Sequence, residues 1–286
     1  MNEAQHDYWS GDVGRVWAEE QAALDAWLGA VDAPLLAAAV PRAGEHVLDV
    51  GCGAGATSMA LADAVTPDGT VTGVDLSPQL LARARERAEG RPGLRFLEAD
   101  AQTGAIGEGY DLIVSRFGVM FFADPVAAFA RMRAACRPGA RLAFACWRAA
   151  ADNPAFAVPI AAVAPLLTPG VTTDRYATTP TADPHSPGPL AFADSERTLR
   201  LITEAGWSHA AAVAVDVTTV VGSGDTALAD AVRLLARIGP AAAAVKELGK
   251  EARPIIRERL ASALAPWQQG TLVQLPAGIW IVTAVA

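Results

Sequence analysis

The sequence predicts an α/β fold built on a doubly wound parallel sheet. Short apolar runs alternate with helix-forming segments between residues 46 and 148, in units of roughly 20–30 residues. The first run, Val47–Val50, leads into three glycines at alternate positions, and a second run, Gly69–Asp75, ends in an acid. An open sheet of this kind binds ligands beyond the carboxyl ends of its strands, so we expect both features at one edge.

Composition sets the scale and excludes one class of function. The 286 residues allow one large or two modest domains, and the 52% of hydrophobic residues is ample for a sizeable core. A formal charge of −8, with no cluster of Lys and Arg, excludes a nucleic-acid-binding surface. We assign residues 1–45 to an N-terminal helical lid and 46–148 to the ligand-binding core. Residues 149–286 should supply substrate-side loops, helical insertions and the last strands of the same sheet.

The cysteines indicate a reduced compartment. Cys52, Cys136 and Cys146 are odd in number and scattered, and none has the spacing of metal ligands. The sequence shows no signal peptide and no apolar run near about eighteen residues. We therefore expect a cytoplasmic protein without a membrane span and without a metal site.

Residues 1–45 precede the first strand and predict a helical lid. Apolar residues recur there at roughly helical spacing, at Leu24, Trp27, Leu28, Val31, Leu35 and Leu36. We expect Trp27 to pack on the sheet edge, whereas Tyr8, Trp9 or Trp17 would close over a ligand.

The glycine turn and the acid before it predict the kind of ligand. Gly51, Gly53 and Gly55 suit a tight turn with positive φ and a close approach of a ligand to the backbone. Asp49 would repel phosphates at the following helix N-terminus, but it suits a nucleoside that carries positive charge. S-adenosylmethionine (SAM), with its sulfonium and α-ammonium, is such a ligand. The series Gly51-x-Gly53-x-x-Ala56 also allows a dinucleotide, which keeps an NAD-type oxidoreductase as the alternative.

Acids at the ends of the next two strands fit a nucleoside. Asp75 follows Gly51 at the distance where an open α/β sheet places the carboxylate that binds a ribose diol. Ser77 before Pro78 is expected to cap the next helix, which leaves Asp75 free to bind. A third strand over residues 94–102 carries Asp100, whose carboxylate can accept from the adenine amino group.

The rest of the chain predicts further strands and helices. Residues 109–118 form a fourth strand, 125–137 a helix and 140–147 a fifth strand. The many prolines of residues 149–193 should interrupt any long helix, and residues 183–192 should be a loop beside the substrate mouth. The remaining elements are predicted as a helix over 195–206, a strand over 210–221, helices over 226–238 and 241–264, and a final strand over 277–286. The last two strands are thus separated by a helical insertion.

Four motifs together resemble the class I SAM-dependent methyltransferases, within the set that includes the ubiquinone/menaquinone-biosynthesis enzymes. They are Val47–Gly55, Val74–Ser77, Ala99–Ala101, and Asp111–Phe122 with the following Arg137–Leu142. The resemblance implies a Rossmann-like seven-stranded sheet of order 3-2-1-4-5-7-6 with strand 7 antiparallel. It also implies SAM as cofactor and a site in which Ser115 and Arg116 border the methyl group.

The expected cofactor-binding residues combine these arguments. Trp17 is included because an aromatic face beside a sulfonium gains roughly 0.5–2 kcal/mol. The full set is Trp17, Asp49, Gly51, Cys52, Gly53, Gly55, Asp75, Leu76, Asp100, Ala101, Ser115 and Arg116. Cys52 is interpreted as a small filler of the turn rather than a nucleophile.

The acceptor side is predicted to be aromatic and mostly uncharged, which suggests a small, flat or apolar acceptor. Its expected residues are Phe117, Met120, Phe121, Trp147 and Phe192. Neither the Asn/Asp-Pro-Pro-aromatic signature nor the Pro-Cys pair of nucleic-acid methylases is present. Methyl transfer is in-line displacement, so positioning supplies most of the catalysis, and His185 is the only candidate base named. A SAM-binding protein with little catalysis and a homodimer both stay open.

Overall fold

The computed structural model describes residues 3–167 and 185–286. Within these residues one mixed sheet of eight strands is surrounded by helices. The strands are β1 His46–Val50, β2 Thr70–Asp75, β3 Leu94–Glu98, β4 Tyr110–Arg116, β5 Cys136–Trp147, β6 Ser208–Ser223, β7 Gln268–Gln269 and β8 Leu272–Val285. The helices are α1 Glu3–Ser10, α2 Asp12–Glu19, α3 Gln21–Leu28, α4 Asp32–Ala39, α5 Ala56–Val65, α6 Pro78–Arg87, α7 Pro125–Ala134, α8 Pro154–Val163, α9 Ser195–Glu204, α10 Ala227–Arg237, α11 Pro240–Leu248 and α12 Arg253–Leu264.

The sheet has the order β3-β2-β1-β4-β5-β8-β6, with the short β7 paired to the start of β8. Strands β1 to β5 pair in parallel, and β8 runs antiparallel between β5 and β6. The predicted sheet order is therefore confirmed, because the expected seventh strand is β8. The fold class is confirmed with it.

Strand β1 lies at the centre because its apolar run can be buried on both faces. Val47–Val50 pair with Val71–Val74 of β2, and Val47–Asp49 pair with Leu112–Val114 of β4. Val47 and Leu48 are completely buried. This register brings the carboxyl ends of β1, β2 and β4 together, which places the glycine turn and Asp75 at one edge.

Strands β6 and β8 form a ribbon that extends beyond this edge. Strand β5 ends at Trp147, which lies opposite Ile279 of β8. Residues 272–278 of β8 extend beyond that end and pair with residues 216–223 of β6. Helices α10 to α12 connect the two strands, and α10 packs on the ribbon. The predicted helical insertion is therefore present. Its expected long helix over 241–264 is wrong in detail, because Gly249 at φ +89° separates α11 from α12.

The first four helices cover the sheet and its carboxyl edge. Helix α2 packs on α6, α3 packs on β6, and α4 packs on β5 and β8. The continuous helical stretch Gln21–Ala39 has the length and mean hydropathy (1.3) of a membrane span. The core helix of a soluble protein passes the same test. Here Val31 and Leu35 of this stretch are completely buried within the protein core.

Some predicted boundaries are wrong. Strand β5 begins at Cys136 rather than 140, and β8 begins at Leu272 rather than 277, since pairing with a neighbouring strand extends both. Helix α8 contains Pro159 in spite of the expected interruption. Residues 185–194 form turns, as predicted for the end of the proline-rich loop. The earlier part of that loop, up to residue 184, lies outside the described residues.

Candidate functional site

A cavity of about 1390 Å³ opens at the carboxyl ends of β1, β2, β4 and β5. The glycine turn after β1 forms its floor, and residues of α1 to α3 cover it. Residues of α8, α11 and α12 line the opposite side. The cavity is large enough for a nucleoside cofactor together with a second small molecule, because ligand pockets typically measure roughly 300–1,000 Å³.

The glycine turn is held against the loop after β4. Gly51 has φ +69°, and a Cβ built on it would lie 2.6 Å from Gly118 Cα. Gly53 has φ +53°, yet nothing lies within 4 Å of its Cβ position. Gly51 is therefore required by packing, while Gly53 leaves open space on the cavity side. Gly55 caps α5 and packs against Phe96 and Ala84. It does not line the cavity, contrary to the expectation.

Asp49 lies in β1, at the end of the cavity floor. Its carboxylate is buried and accepts a hydrogen bond from Ser58 Oγ at 2.5 Å. Burial raises the pKa of Asp49 to about 6, a shift that Ser58 and Arg116 oppose and that Asp32 and Asp75 support. A buried carboxylate with a raised pKa gains from a cation placed beside it.

Asp75 pins the glycine turn to the end of β2. One carboxylate oxygen accepts from Gly53 N–H and the other from Ser77 N–H, both at 2.8 Å. The Ser77 hydroxyl in turn accepts from Leu80 N–H, so the predicted cap of α6 is confirmed. The expectation that Asp75 is left free is wrong, because both oxygens already hold a backbone donor. Each oxygen has a further lone pair, and Asp75 lines the cavity, so a ligand hydroxyl can still donate to it.

Asp100 stands at the next position along the edge. Its carboxylate accepts from Gln102 N–H at 2.9 Å and from Thr103 Oγ at 2.7 Å, which fixes a turn after β3. Asp100, Ala101 and Leu76 all line the cavity. The structure therefore brings the predicted ribose and adenine residues to one end of the site.

Two predicted cofactor residues sit differently. Arg116 lines the cavity, but its guanidinium donates to both carboxylate oxygens of Asp32 at 3.0 Å. Ser115 does not line it: the buried hydroxyl donates to Val50 carbonyl and accepts from Gly118 N–H. Ser115 thus connects the end of β1 to the loop after β4 rather than bordering a ligand. Cys52 lines the cavity, and burial raises the pKa of its thiol well above the ordinary value, consistent with a filler.

Aromatic rings form the middle of the cavity wall. Phe117 and Trp147 stack face to face with ring centroids 4.0 Å apart, and Phe156 meets Trp147 edge-on at 5.3 Å. Phe117 adopts φ +66°, a strained backbone for a residue with a side chain. The turn after β4 thus directs this ring against Trp147. Both rings and Met120 line the cavity, as predicted.

Aromatic residues of the N-terminal helices cover the same space. Trp9 meets Trp17 edge-on at 5.3 Å and Phe121 at 5.2 Å, which joins the N-terminal segment to the loop after β4. Trp17 and Phe121 line the cavity. Trp27 also lines it, near Trp147, so the expectation that Trp27 only packs on the sheet is incomplete.

Two acceptor-side predictions do not fall on the cavity. Phe192 is buried in the core, with its ring 6.0 Å from Phe129 and 6.1 Å from Phe144. Packing against these two rings, which belong to α7 and β5, places Phe192 in the core rather than in the cavity wall. His185 is exposed and does not line the cavity, so the geometry gives it no role as a base.

Sequence reasoning missed the side of the cavity formed by the insertion. Its cations are Lys246, Lys250, Arg253 and Arg257. The signal that could have located them is their spacing of three or four residues along the predicted helix 241–264, which would place them on one face. In the structure Arg253 and Arg257 share α12, whereas Lys246 lies in α11 and Lys250 in the turn after it. Among residues 3–167 and 185–286, no group of three His, Cys, Asp or Glu side chains could hold a metal ion.

Residues 47–139 match the family described as a methyltransferase domain. The aklanonic acid methyltransferase DauC of a Streptomyces species is 39% identical over 108 residues, which are 36% of this chain and 49% of that protein. A demethylmenaquinone methyltransferase of Thermus thermophilus is 37% identical over 107 residues, 36% of this chain and 48% of that protein. The chain thus spans about half the length of these curated relatives.

The whole fold resembles solved structures at low identity. Phosphoethanolamine N-methyltransferase 2 of Haemonchus contortus, in complex with phosphomonomethylethanolamine and S-adenosylhomocysteine, aligns with a TM-score of 0.57. The alignment covers 98% of this chain and 58% of that one at 15% identity. At this identity the likeness shows the fold alone.

Proposed function

We propose, from the match of residues 47–139 to a methyltransferase domain, that the chain transfers the methyl group of SAM to a small aromatic or apolar acceptor. The observation that carries the proposal is the arrangement of one continuous cavity. Carboxylates and the glycine turn lie at one end, and stacked aromatic rings follow them along the sheet edge.

The residues of the first end fit SAM. Gly53 leaves open space where a ligand can approach the backbone, and Asp49 is a buried carboxylate that gains from a cation. Asp75 and Asp100 offer acceptors for ribose hydroxyls and an adenine amino group. SAM bound there supplies a methyl group already activated by the sulfonium.

The aromatic wall would then orient the acceptor. Phe117 and Trp147 present flat apolar surface between the cofactor end and the insertion helices. Holding the acceptor atom in line with the methyl group can contribute up to roughly 7–11 kcal/mol to lowering the barrier. Trp9, Trp17 and Phe121 would close the cavity above and exclude water. No dedicated base is assigned among the described residues that line the cavity.

Two alternatives are separated by binding and turnover. An NAD-type oxidoreductase would place phosphates beside Asp49, which repels them. A SAM-binding protein with little catalysis would share the site but not the activity. Calorimetry with S-adenosylhomocysteine and with NAD is the first test, and we expect binding of the former alone. Tight binding of NAD, or no binding of S-adenosylhomocysteine, would overturn the proposal.

A second test addresses the transfer itself. Turnover of SAM is measured by mass spectrometry on a panel of aromatic hydroxyl, amine and carbon acceptors. Gly53→Val should abolish cofactor binding and turnover together, because its side chain fills the open space above the turn. Wild-type binding of SAM without methylation of any acceptor in the panel would favour the non-catalytic alternative.

A further inference from the structure

The cavity carries charges of opposite sign at its two ends. Asp49, Asp75 and Asp100 lie where β1, β2 and β3 end. Helices α11 and α12 pack on α8, which follows β5, and on α10, which packs on the ribbon of β6 and β8. Strand β8 is three positions from β1 in the sheet, which corresponds to about 14 Å at the usual strand spacing. The insertion helices therefore face the acceptor part of the cavity rather than the nucleoside part.

Four cations line the cavity from these helices, and their acidic neighbours do not. Lys246 and Lys250 belong to α11 and the turn after it, and Arg253 and Arg257 to α12. Three acids adjoin these cations in sequence but do not line the cavity, namely Glu247, Glu251 and Glu258. The charged residues with which this segment lines the cavity are thus all cations.

These cations are also unused within the part of the chain that the structure describes. Neither a salt bridge nor a side-chain hydrogen bond is formed there by Lys246, Lys250, Arg253 or Arg257. The other cavity arginines are paired: Arg116 with Asp32, Arg237 with Glu19 and Glu20, and Arg15 with Asp12. In a chain with a net charge of −8, four unpaired cations on one cavity wall are the groups available to a ligand anion.

We propose that the acceptor is an aromatic carboxylate whose ring lies against Phe117 and Trp147 and whose anionic group faces these cations. This inference rests on the proposed function, since it names the substrate class of that site. The stacked rings accommodate the flat part, and the insertion helices accommodate the charge. The acceptor is then drawn between the two ends of the cavity, with its reactive atom toward the cofactor.

A pair of probes with one shape and different charge tests the proposal. Binding of 2-naphthoate and 2-naphthamide is measured by calorimetry with S-adenosylhomocysteine present. We expect 2-naphthoate to bind at least about fivefold more tightly, since several partly screened cations each contribute a modest attraction. The preference should fall as ionic strength is raised to about 0.5 M.

Variants test whether the cations cause the preference for 2-naphthoate over 2-naphthamide. In Lys246→Gln/Arg253→Gln, which keeps two of the four cations, the ratio of the two affinities should fall at least about twofold, while the affinity for S-adenosylhomocysteine stays the same. Arg83→Gln/Arg200→Gln changes the net charge equally at exposed positions away from the cavity and should leave the ratio intact.

Three results would overturn the inference. They are equal binding of the two probes or no binding of 2-naphthoate at millimolar concentration, an undiminished preference in the double variant, and a loss of S-adenosylhomocysteine affinity that matches the loss for 2-naphthoate. A matching loss of S-adenosylhomocysteine affinity would show that the cations bind the cofactor. Failure of wild-type protein to bind S-adenosylhomocysteine would instead count against the proposed function.

Discussion

The buried carboxylate of Glu20, between α2 and α3, accepts a hydrogen bond from Arg237 at the end of α10. Arg233 of the same helix donates to its other oxygen. Only 3% of the Glu20 side chain is exposed, whereas the two arginines keep part of their surface in water. This ion pair joins the N-terminal helices to the insertion across the top of the cavity, although the two segments are far apart in sequence.

We predict that Glu20→Ala loosens the cover of the cavity. Two arginines then lose the buried carboxylate that they share. This loss should lower the free energy of unfolding by about 1–3 kcal/mol, and the effect is reduced because both arginines can reach water. Hydrogen exchange of residues 5–20 should become faster and cofactor affinity should fall. Glu86→Ala removes an exposed helical pair with Arg83 and is the control. Unchanged exchange in Glu20→Ala would show that the pair does not hold the N-terminal helices.

The raised pKa of Asp49 predicts how stability depends on pH. Burial raises it to about 6 from 3.8, so between these values the folded state keeps a proton that the unfolded state has lost. The free energy of unfolding should therefore fall as pH rises from about 4 to 6. Burial also raises the pKa of Asp75 and Asp32, so the part due to Asp49 is the difference between wild type and Asp49→Asn. Chemical denaturation across this pH range measures it.

The same carboxylate predicts proton release on cofactor binding. A cationic ligand favours the ionised form of Asp49, so affinity for SAM should rise several-fold from about pH 5 to pH 7. Calorimetry at pH 6 in two buffers of different ionisation enthalpy should detect release of up to about half a proton per SAM bound in wild type, since Asp49 is then about half protonated, and less in Asp49→Asn. Equal proton release in both proteins would contradict the assignment.

The strand ends could be predicted from sequence because local patterns determine them. The apolar run Val47–Val50, the glycines after it and the acid Asp75 each follow from residue type and spacing. The sheet order followed from the family resemblance that these motifs support. Residues whose place on the cavity depends only on a position at or just after a strand end also lie there as predicted, such as Trp147 at the end of β5 and Phe117 after β4.

The errors arose where distant contacts decide the outcome. Its place at the end of a proline-rich loop predicts Phe192 on the substrate side, but Phe129 and Phe144 bury it in the core. Ser115 was assigned to the methyl group, whereas its hydroxyl bridges Val50 and Gly118 from two other segments. The pairing of Glu20 with Arg237 joins segments whose approach no local pattern specifies. Tertiary packing fixes such contacts, and a single sequence does not display it.

Asp75→Ala should weaken cofactor binding without unfolding the protein. Charge-assisted hydrogen bonds are worth roughly 1.5–3 kcal/mol, which corresponds to about 10- to 150-fold in affinity. The variant also releases Gly53 N–H and Ser77 N–H, so the turn that it pins should exchange faster. Glu98 ends β3 directly opposite Asp75 but does not line the cavity. Glu98→Ala is therefore the matched control. Equal dissociation constants for the two variants would show that Asp75 does not bind the cofactor.

A pair of glycine substitutions tests whether the N-terminal helices act as a lid. A Cβ on Gly14 of α2 would lie 1.9 Å from Trp9 carbonyl O and 2.4 Å from Ser77 Oγ, so α2 sits tightly against the start of α6. Gly14→Ala should displace α2 from the cavity and lower cofactor affinity by at least about fivefold. The melting temperature should change little, because the sheet core lies elsewhere.

Gly29 provides the matched control for this last prediction. It has φ −62°, and nothing lies within 4 Å of its Cβ position, so Gly29→Ala should be neutral or slightly stabilising. Cofactor should protect residues 5–20 from hydrogen exchange in wild type and in Gly29→Ala, but not in Gly14→Ala. If this segment exchanges equally fast with and without SAM in wild type, it does not close over the cofactor, and Trp17 contributes to packing alone.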